Sequence, residues 1–331
     1  MKSSATAGVW GPLLVLPFLL PVSAAIAQTD TSALGWLQRV YAAGQKLSYT
    51  GTFVYQQGQM VETSRIVHLM EASGPHERLE TLDGVPREIV RTGDRVVCYL
   101  PASMTVKIDK LGKQLSWGPF PGMLSEQFKE LSQNYNLKKG EIERVGGYNC
   151  QVISLEPKDR MRYGHRLWVD TRTGLLLKAK TLDEKNDVLE QFMFTQMQVG
   201  GHISRDQLKA RFSDQSRDWR VENSGASVVD LAAAGWTLKS RPPGFHTVTE
   251  LVRNLGGTSG VGHIVLSDGL AAISIFIEPG TEKRPTPHPG LLRQGAINVY
   301  VRSVGQYWVT VVGEAPPESV KYVADAVEYR K

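Results

Sequence analysis

The chain has 331 residues, carries 38 Lys and Arg against 33 Asp and Glu for a formal charge of +5, and is 41% hydrophobic. That length is generous for one domain and comfortable for two. The basic residues are dispersed, which argues against a nucleic-acid partner and leaves only a weak preference for anionic surfaces such as lipid headgroups.

Residues 1–27 read as a cleaved secretory signal. Lys2 is their only charge, an apolar stretch runs from Val9 to Val22, and Ala25-Ile26-Ala27 forms a small-x-small cleavage site before Gln28. Gly11, Pro12, Pro17 and Pro21 interrupt the stretch, which disfavours a spanning helix. No later segment approaches the ~20 uninterrupted apolar residues that a membrane helix needs. No Cys follows the cleavage site, unlike a lipoprotein. An exported, soluble chain is therefore expected. Export permits a Cys98–Cys150 bridge, and two small buried hydrophobes is the alternative. Neither cysteine sits in a CxxC redox pattern.

The spacing of Leu34, Leu37, Val40 and Tyr41 predicts a helix over 32–45, capped by Thr31 or Ser32. Tyr49–Pro101 then reads as five short strands: Tyr49–Tyr55, Val61–Met70, Glu77–Leu82, Arg87–Arg91 and Arg95–Leu100. Gln57-Gly58, Ser73-Gly74-Pro75, Asp83-Gly84-Val85-Pro86 and Gly93-Asp94 supply the turns. Tyr49, Gly51, Phe53 and Tyr55 share one face by alternation. Such a meander must cover its apolar face, and helices, a second domain, a lipid or a partner chain would each serve. Lys110–Gly122 reads as a loop, and Leu124, Phe128 and Leu131 predict a short amphipathic helix. Strands resume at Ile142–Val145, Cys150–Leu155, His165–Asp170, Leu175–Thr181 and Leu189–Val199.

These elements define a first domain over 28–202, and the polar, charged stretch 203–223 is the expected linker. A smaller domain covers 224–331, with strands His263–Leu266, Leu270–Glu278, Ala296–Val304 and Gln306–Val312. Ser267-Asp268-Gly269 and Val304-Gly305 are its hairpin turns. Its final helix follows Pro316-Pro317-Glu318-Ser319, with Val320, Val323 and Val327 as the apolar stripe. Pro279–Pro289 is expected to be an exposed loop. There is no internal repeat.

Nothing in the sequence carries a catalytic signature. The seven histidines show neither helix spacing nor an HExxH pattern, and His165 and His263 should point at sheet faces. Gly256–Gly262 lacks the Lys-Ser/Thr of a phosphate loop and leads into a strand. No serine stands in a GxSxG elbow, and no carboxylates pair in a catalytic context. No catalytic residue, cofactor or metal is expected. The aromatics of the first domain carry more information. Phe53, Tyr55, Tyr99, Phe128, Trp168 and Phe192 either fill a sheet core or line a pocket for an acyl chain, and Met104, Met123, Met161, Met193 and Met197 would suit such a pocket.

Several stretches resemble the RseB/MucB family of periplasmic regulators of the envelope-stress sigma-factor pathway. They are Gly51–Tyr55, Glu77–Gly84 continuing to Arg87–Arg91, Tyr163–Gly174 and Leu189–Thr195, with Ser267–Ile277 and Gly313–Pro317 in the smaller domain. The resemblance is weaker in Leu111–Gly122 and Gly280–Pro289. It implies an α+β fold: a large half-open antiparallel barrel like the lipoprotein carriers LolA and LolB, with helices across its mouth, plus a smaller mixed α/β domain. It further implies a periplasmic protein that binds the periplasmic segment of a membrane-spanning anti-sigma factor and shields it from a regulated protease. Lipopolysaccharide or another acylated ligand would release it. Partner contacts are expected where the domains meet, in the polar linker and in Arg241-Pro-Pro-Gly-Phe245, with Arg241 and Phe245 as anchors. The alternative is that Pro242-Pro243 only stiffens a loop. A homodimer is the expected assembly. Two other readings are a lipid or lipoprotein carrier on the same scaffold and a hydrolase with a dispersed site.

Overall fold

A computed structural model describes residues 32–110, 129–280 and 289–330. The signal segment 1–27 and Phe128 lie outside these residues, as do most of the predicted helix 124–131 and most of the loops 110–122 and 279–289.

Helix α1 (Ala33–Lys46) begins where the Ser32 side chain accepts a hydrogen bond from the Gly35 amide at 3.1 Å, and it buries Trp36, Leu37, Val40 and Ala43. A meander follows: β1 (Tyr49–Gln57), β2 (Met60–Glu71), β3 (Gly74–Thr81), β4 (Glu88–Thr92), β5 (Arg95–Leu100) and β6 (Thr105–Lys110). After the single turn of α2 (Leu131–Asn134), a second meander runs through β7 (Tyr135–Val145), β8 (Tyr148–Pro157), β9 (Gly164–Asp170), β10 (Leu176–Leu182) and β11 (Val188–Val199). The two meanders join side by side because β1 pairs antiparallel with β11. Strand β12 (Arg220–Asn223) then adds to β6 in parallel, which completes an open twelve-stranded sheet with β12 and β7 as its edges.

The smaller unit comprises β13 (Ser227–Val228), β14 (Trp236–Leu238), β15 (His246–Leu255), β16 (Thr258–Ser267), β17 (Ala272–Pro279), β18 (Gly290–Gln294), β19 (Ile297–Val304), β20 (Tyr307–Gly313), α3 (Pro317–Ala326) and β21 (Val327–Tyr329). Seven of these strands form a sheet in the order β13-β15-β16-β17-β20-β19-β18. Val320 and Val323 of α3 pack in one cluster with Ile273, Ile275, Val309 and Val311. The expected class, α+β with a large half-open antiparallel sheet and a smaller mixed unit, is the observed one.

Seven strands escape the sequence reading: β12, β13, β14 and β21, which have two to four residues each, and β6, β15 and β18. β6 alternates Val106 and Ile108 with charged residues but lies beside a stretch that reads as loop. β15 is interrupted by register shifts at Thr247/Thr249 and Arg253/Leu255, which break its alternation. β18 follows a proline-rich run. The stretch expected as a linker is held down along its length. Arg211 pairs with Glu80, the Phe212 amide donates to Glu88 at 3.3 Å, and Arg78 bridges Glu80 and Glu88 while donating to the Gln207 carbonyl. Both cysteines are free thiols, so the bridge is not formed. Burial, with the Asp170 charge next, pushes Cys150 up to about 12.

Candidate binding site between the large sheet and the smaller unit

The register of the large sheet sorts the sequence-singled aromatics onto two faces. Leu167 pairs with Ala179, Ala179 with Phe192, and Phe192 with Tyr55, so these four side chains share the inner face with Tyr49, Gly51 and Phe53. Trp168 lies beside Lys178 on the outer face, and Tyr99 pairs with Glu88 on the outer face as well. The proposed pocket residues are therefore split: Phe53, Tyr55 and Phe192 come together, whereas Tyr99 and Trp168 do not join them. Trp168 instead donates its indole N–H to Glu143 at 2.8 Å, with Lys178 4.6 Å and Arg166 5.2 Å from the ring.

The inner face is an aromatic floor built around Phe194. Its ring meets Tyr49, Phe53 and Phe192 edge-on at 6.4, 5.5 and 6.1 Å. Gly51 makes room for it, since a Cβ there would stand 2.8 Å from the Phe194 ring and from the Gln196 carbonyl oxygen. At one end of the floor a polar chain is buried: Tyr49 stacks on His68 at 4.8 Å, His68 Nδ1 lies 2.8 Å from Glu77, and Arg91 lies 3.5 Å from the same carboxylate. Burial raises the Tyr49 hydroxyl well above its usual range. At the other end Glu190 accepts hydrogen bonds from Tyr55 at 2.7 Å and Thr181 at 3.0 Å. Glu314, from the smaller unit, is half-buried close by, and desolvation together with the Glu190 charge pushes it up to about 7. Among the described residues, Gln57 Nε2, Thr81 Oγ1 and His68 Nε2 are buried on this face without a hydrogen-bond partner. His165, which also faces inward, is lowered to about 4 by burial.

The two units are clamped through one loop, Lys158–Tyr163, between β8 and β9. Arg162 has no exposed side-chain surface and reaches Asp268 at 2.5 Å, while Tyr135 donates to the same carboxylate at 3.2 Å. The other Asp268 oxygen accepts from the Leu270 and Ala271 amides at 3.0 and 2.8 Å, so the ion pair also fixes the β16–β17 turn. Arg162 further donates to the Pro243 carbonyl and lies between the rings of Tyr135 and Phe245, at 5.4 and 5.3 Å. Tyr163 accepts from Asn298 at 2.9 Å, and the Met161 carbonyl accepts from Ser319 at 2.7 Å. Leu270 of the smaller unit packs into the hydrophobic cluster of the larger one. A second contact joins Arg253 to Asp109, which also accepts from Ser224.

Phe245 thus belongs to this clamp. It is 3% exposed, and a partner can touch it only if the junction opens. Arg241 is exposed beside it. Arg162 and Tyr135 do not stand out in the sequence, because their partner Asp268 lies more than a hundred residues from either. The one local signal was Ser267-Asp268-Gly269, readable as a turn but not as half of an ion pair.

An open sheet with an aromatic inner floor, locked to a second sheet unit by a buried charge pair, defines a two-unit β-rich protein. Among the described residues no group of three or more His, Cys, Asp or Glu side chains is placed to hold a metal ion. The chain belongs to the MucB/RseB family: it matches the MucB/RseB N-terminal domain over residues 32–212 and the MucB/RseB C-terminal domain over residues 230–328. It is 32% identical to the sigma factor AlgU regulatory protein MucB of Pseudomonas aeruginosa, across 94% of this chain and 95% of that one. It is 26% identical to the sigma-E factor regulatory protein RseB of Escherichia coli K12, across 97% and 98%. Its fold superposes on MucB in the solved Pseudomonas aeruginosa MucA/MucB complex with a TM-score of 0.69 at 30% identity, covering 90% of this chain and 99% of that chain. A crystal structure of MucB matches with a TM-score of 0.66 at 29% identity, covering 90% and 98%.

Proposed function

We propose that this protein is a non-enzymatic periplasmic regulator. It binds the periplasmic segment of a transmembrane anti-sigma factor, shields that segment from regulated proteolysis, and releases it when an acylated ligand such as lipopolysaccharide binds. The observation that carries this reading is the inner face: an aromatic floor with three buried, unpartnered polar atoms at its ends, adjoining the junction with a second unit. Phe53, Phe192 and Phe194 are 7, 4 and 2% exposed, so an amphiphile's chain would lie on them only once the cover over this face has opened, with its polar groups near Gln57 and Thr81. Residues 28–202 would act as the sensor and 224–331 as its companion, joined by 203–223, with Arg241 the exposed contact for the partner. Phe245 would act from within the clamp.

The energies are compatible with a switch. Burying ten methylenes is worth about 8 kcal/mol, and useful coupling between two sites needs only about 1–3 kcal/mol. Most of the ligand's binding energy can therefore favour neither state. The test is reconstitution: the chain without residues 1–27, the anti-sigma periplasmic domain and the protease that cuts it, with and without lipopolysaccharide. Cleavage should slow at least tenfold with the protein present and recover with lipopolysaccharide. Equal cleavage in all arms would remove the reading. Extraction of lipidated cargo from membranes without any effect on cleavage would favour the carrier instead.

A further inference from the structure

The two main sheets end in four edge strands, and three are protected against pairing with another chain. β7 carries Lys138, Lys139, Glu141, Glu143 and Arg144 and a register shift between Lys139 and Ile142. β12 has four residues, including Arg220 and Glu222, and β13 has two. Charges, bulges and shortness are the usual defences of a sheet edge. β18 is also short, five residues with a charge at Arg293, but its first three, Gly290-Leu291-Leu292, carry neither a charge nor a register shift. Leu291 is 39% and Leu292 60% exposed, and because neighbours alternate they present an apolar side chain on each face of the sheet. Among the described residues no strand pairs with the outer side of β18.

Resting on the functional reading above, we propose that β18 receives an extended segment of the anti-sigma partner as an eighth strand of the smaller sheet. Main-chain hydrogen bonds would supply affinity, and alternate side chains beside Leu291 and Leu292 would supply selectivity. Arg293 follows directly, is exposed, and has no carboxylate paired with it among the described residues, so an acidic residue at the matching end of the segment completes the match. A second copy of this chain fits less well. Self-pairing centred on Leu292 would set each Arg293 against a Leu291, and five-residue strands bury far less than the roughly 1,200 Å² of stable interfaces.

The location connects this edge to the sensor. The β18–β19 turn at Gly295, φ +59°, lies against the Gln57 side chain of β1, which a Cβ there would overlap, at the same end of the inner face as Tyr55 and Glu190. A segment paired along β18 therefore has one end beside the mouth of the aromatic floor. A ligand that moves Gln57 acts on the turn that sets the edge.

The test uses the full chain after residue 27 and the periplasmic domain of the anti-sigma factor from the same cell. Amide exchange of residues 290–294 should slow at least tenfold on complex formation, and Leu292→Lys should weaken binding at least tenfold with an unchanged urea midpoint. Binding by wild type with no slowing at 290–294 would overturn the strand addition and leave the regulator reading standing. No binding by wild type at all would instead remove that reading, and this inference with it. A wild-type dimer that Leu292→Lys dissociates would assign the edge to a second copy and also overturn it.

Discussion

Glu314 and Glu190 come from different units yet lie close enough for their charges to repel, and that makes stability depend on pH in a specific direction. Glu314 titrates near 7 in the folded chain and near 4.5 as an ordinary carboxyl. The folded state therefore binds more protons in that window, and stability falls as pH rises through it. His165 and His263, both lowered to about 4 by burial, work the other way, since their contribution is lost as pH falls from 6.5 towards 4. The difference between wild type and Glu314→Gln isolates the carboxyl. The variant should gain on the order of 2 kcal/mol relative to wild type between pH 5 and pH 8, read from urea midpoints at each pH, and parallel profiles would contradict it. Arg162→Ala strands Asp268 without its charge partner and should cost about 3–5 kcal/mol. Gly51→Ala drives a methyl into Phe194 and should cost about 1–3 kcal/mol. Neither Arg162 nor Glu314 stood out in the sequence, because a buried charge draws its meaning from a distant partner. Gly51 was placed on the right face by simple alternation.

Individual strands were legible wherever alternation and turn chemistry agreed, as from Tyr49 to Leu100, where all five expected strands are present. They were lost where a bulge broke the period, as in β15. The choice of face was readable for Phe53 and Tyr55, which lie in one strand. It was not readable for Trp168 and Tyr99, whose faces depend on pairing through several neighbouring strands. The stretch after β11 shows the same limit. Its charges look like solvated linker until Glu80 and Glu88 are seen beneath them, with Glu88 fully buried against Arg78. Arg78→Ala should therefore release the segment as well as destabilise the sheet. Trypsin should cut at Arg211 and Arg217 at least several-fold faster in that variant while the rest of the large sheet stays resistant. Equal cutting rates would mean that the segment is held by something other than this ion cluster.

The whole molecule combines two large sheets of unlike character: a broad one with an aromatic inner floor and a narrower one whose β18 edge no described strand covers. The clamp of Arg162, Asp268, Tyr135 and Leu270 gives them a shared boundary. The family-bearing stretches were visible in the sequence, but the path between the units was not. It runs through the six-residue loop Lys158–Tyr163, which carries no recognisable pattern, and a hairpin turn that reads only as a turn. The most direct measurement is reciprocal calorimetry: affinity for an acylated ligand with and without the anti-sigma periplasmic domain, and affinity for that domain with and without the ligand. Linkage requires the same factor in both directions, and a weakening of about 5–150-fold is expected in each. Two affinities that ignore each other would contradict it.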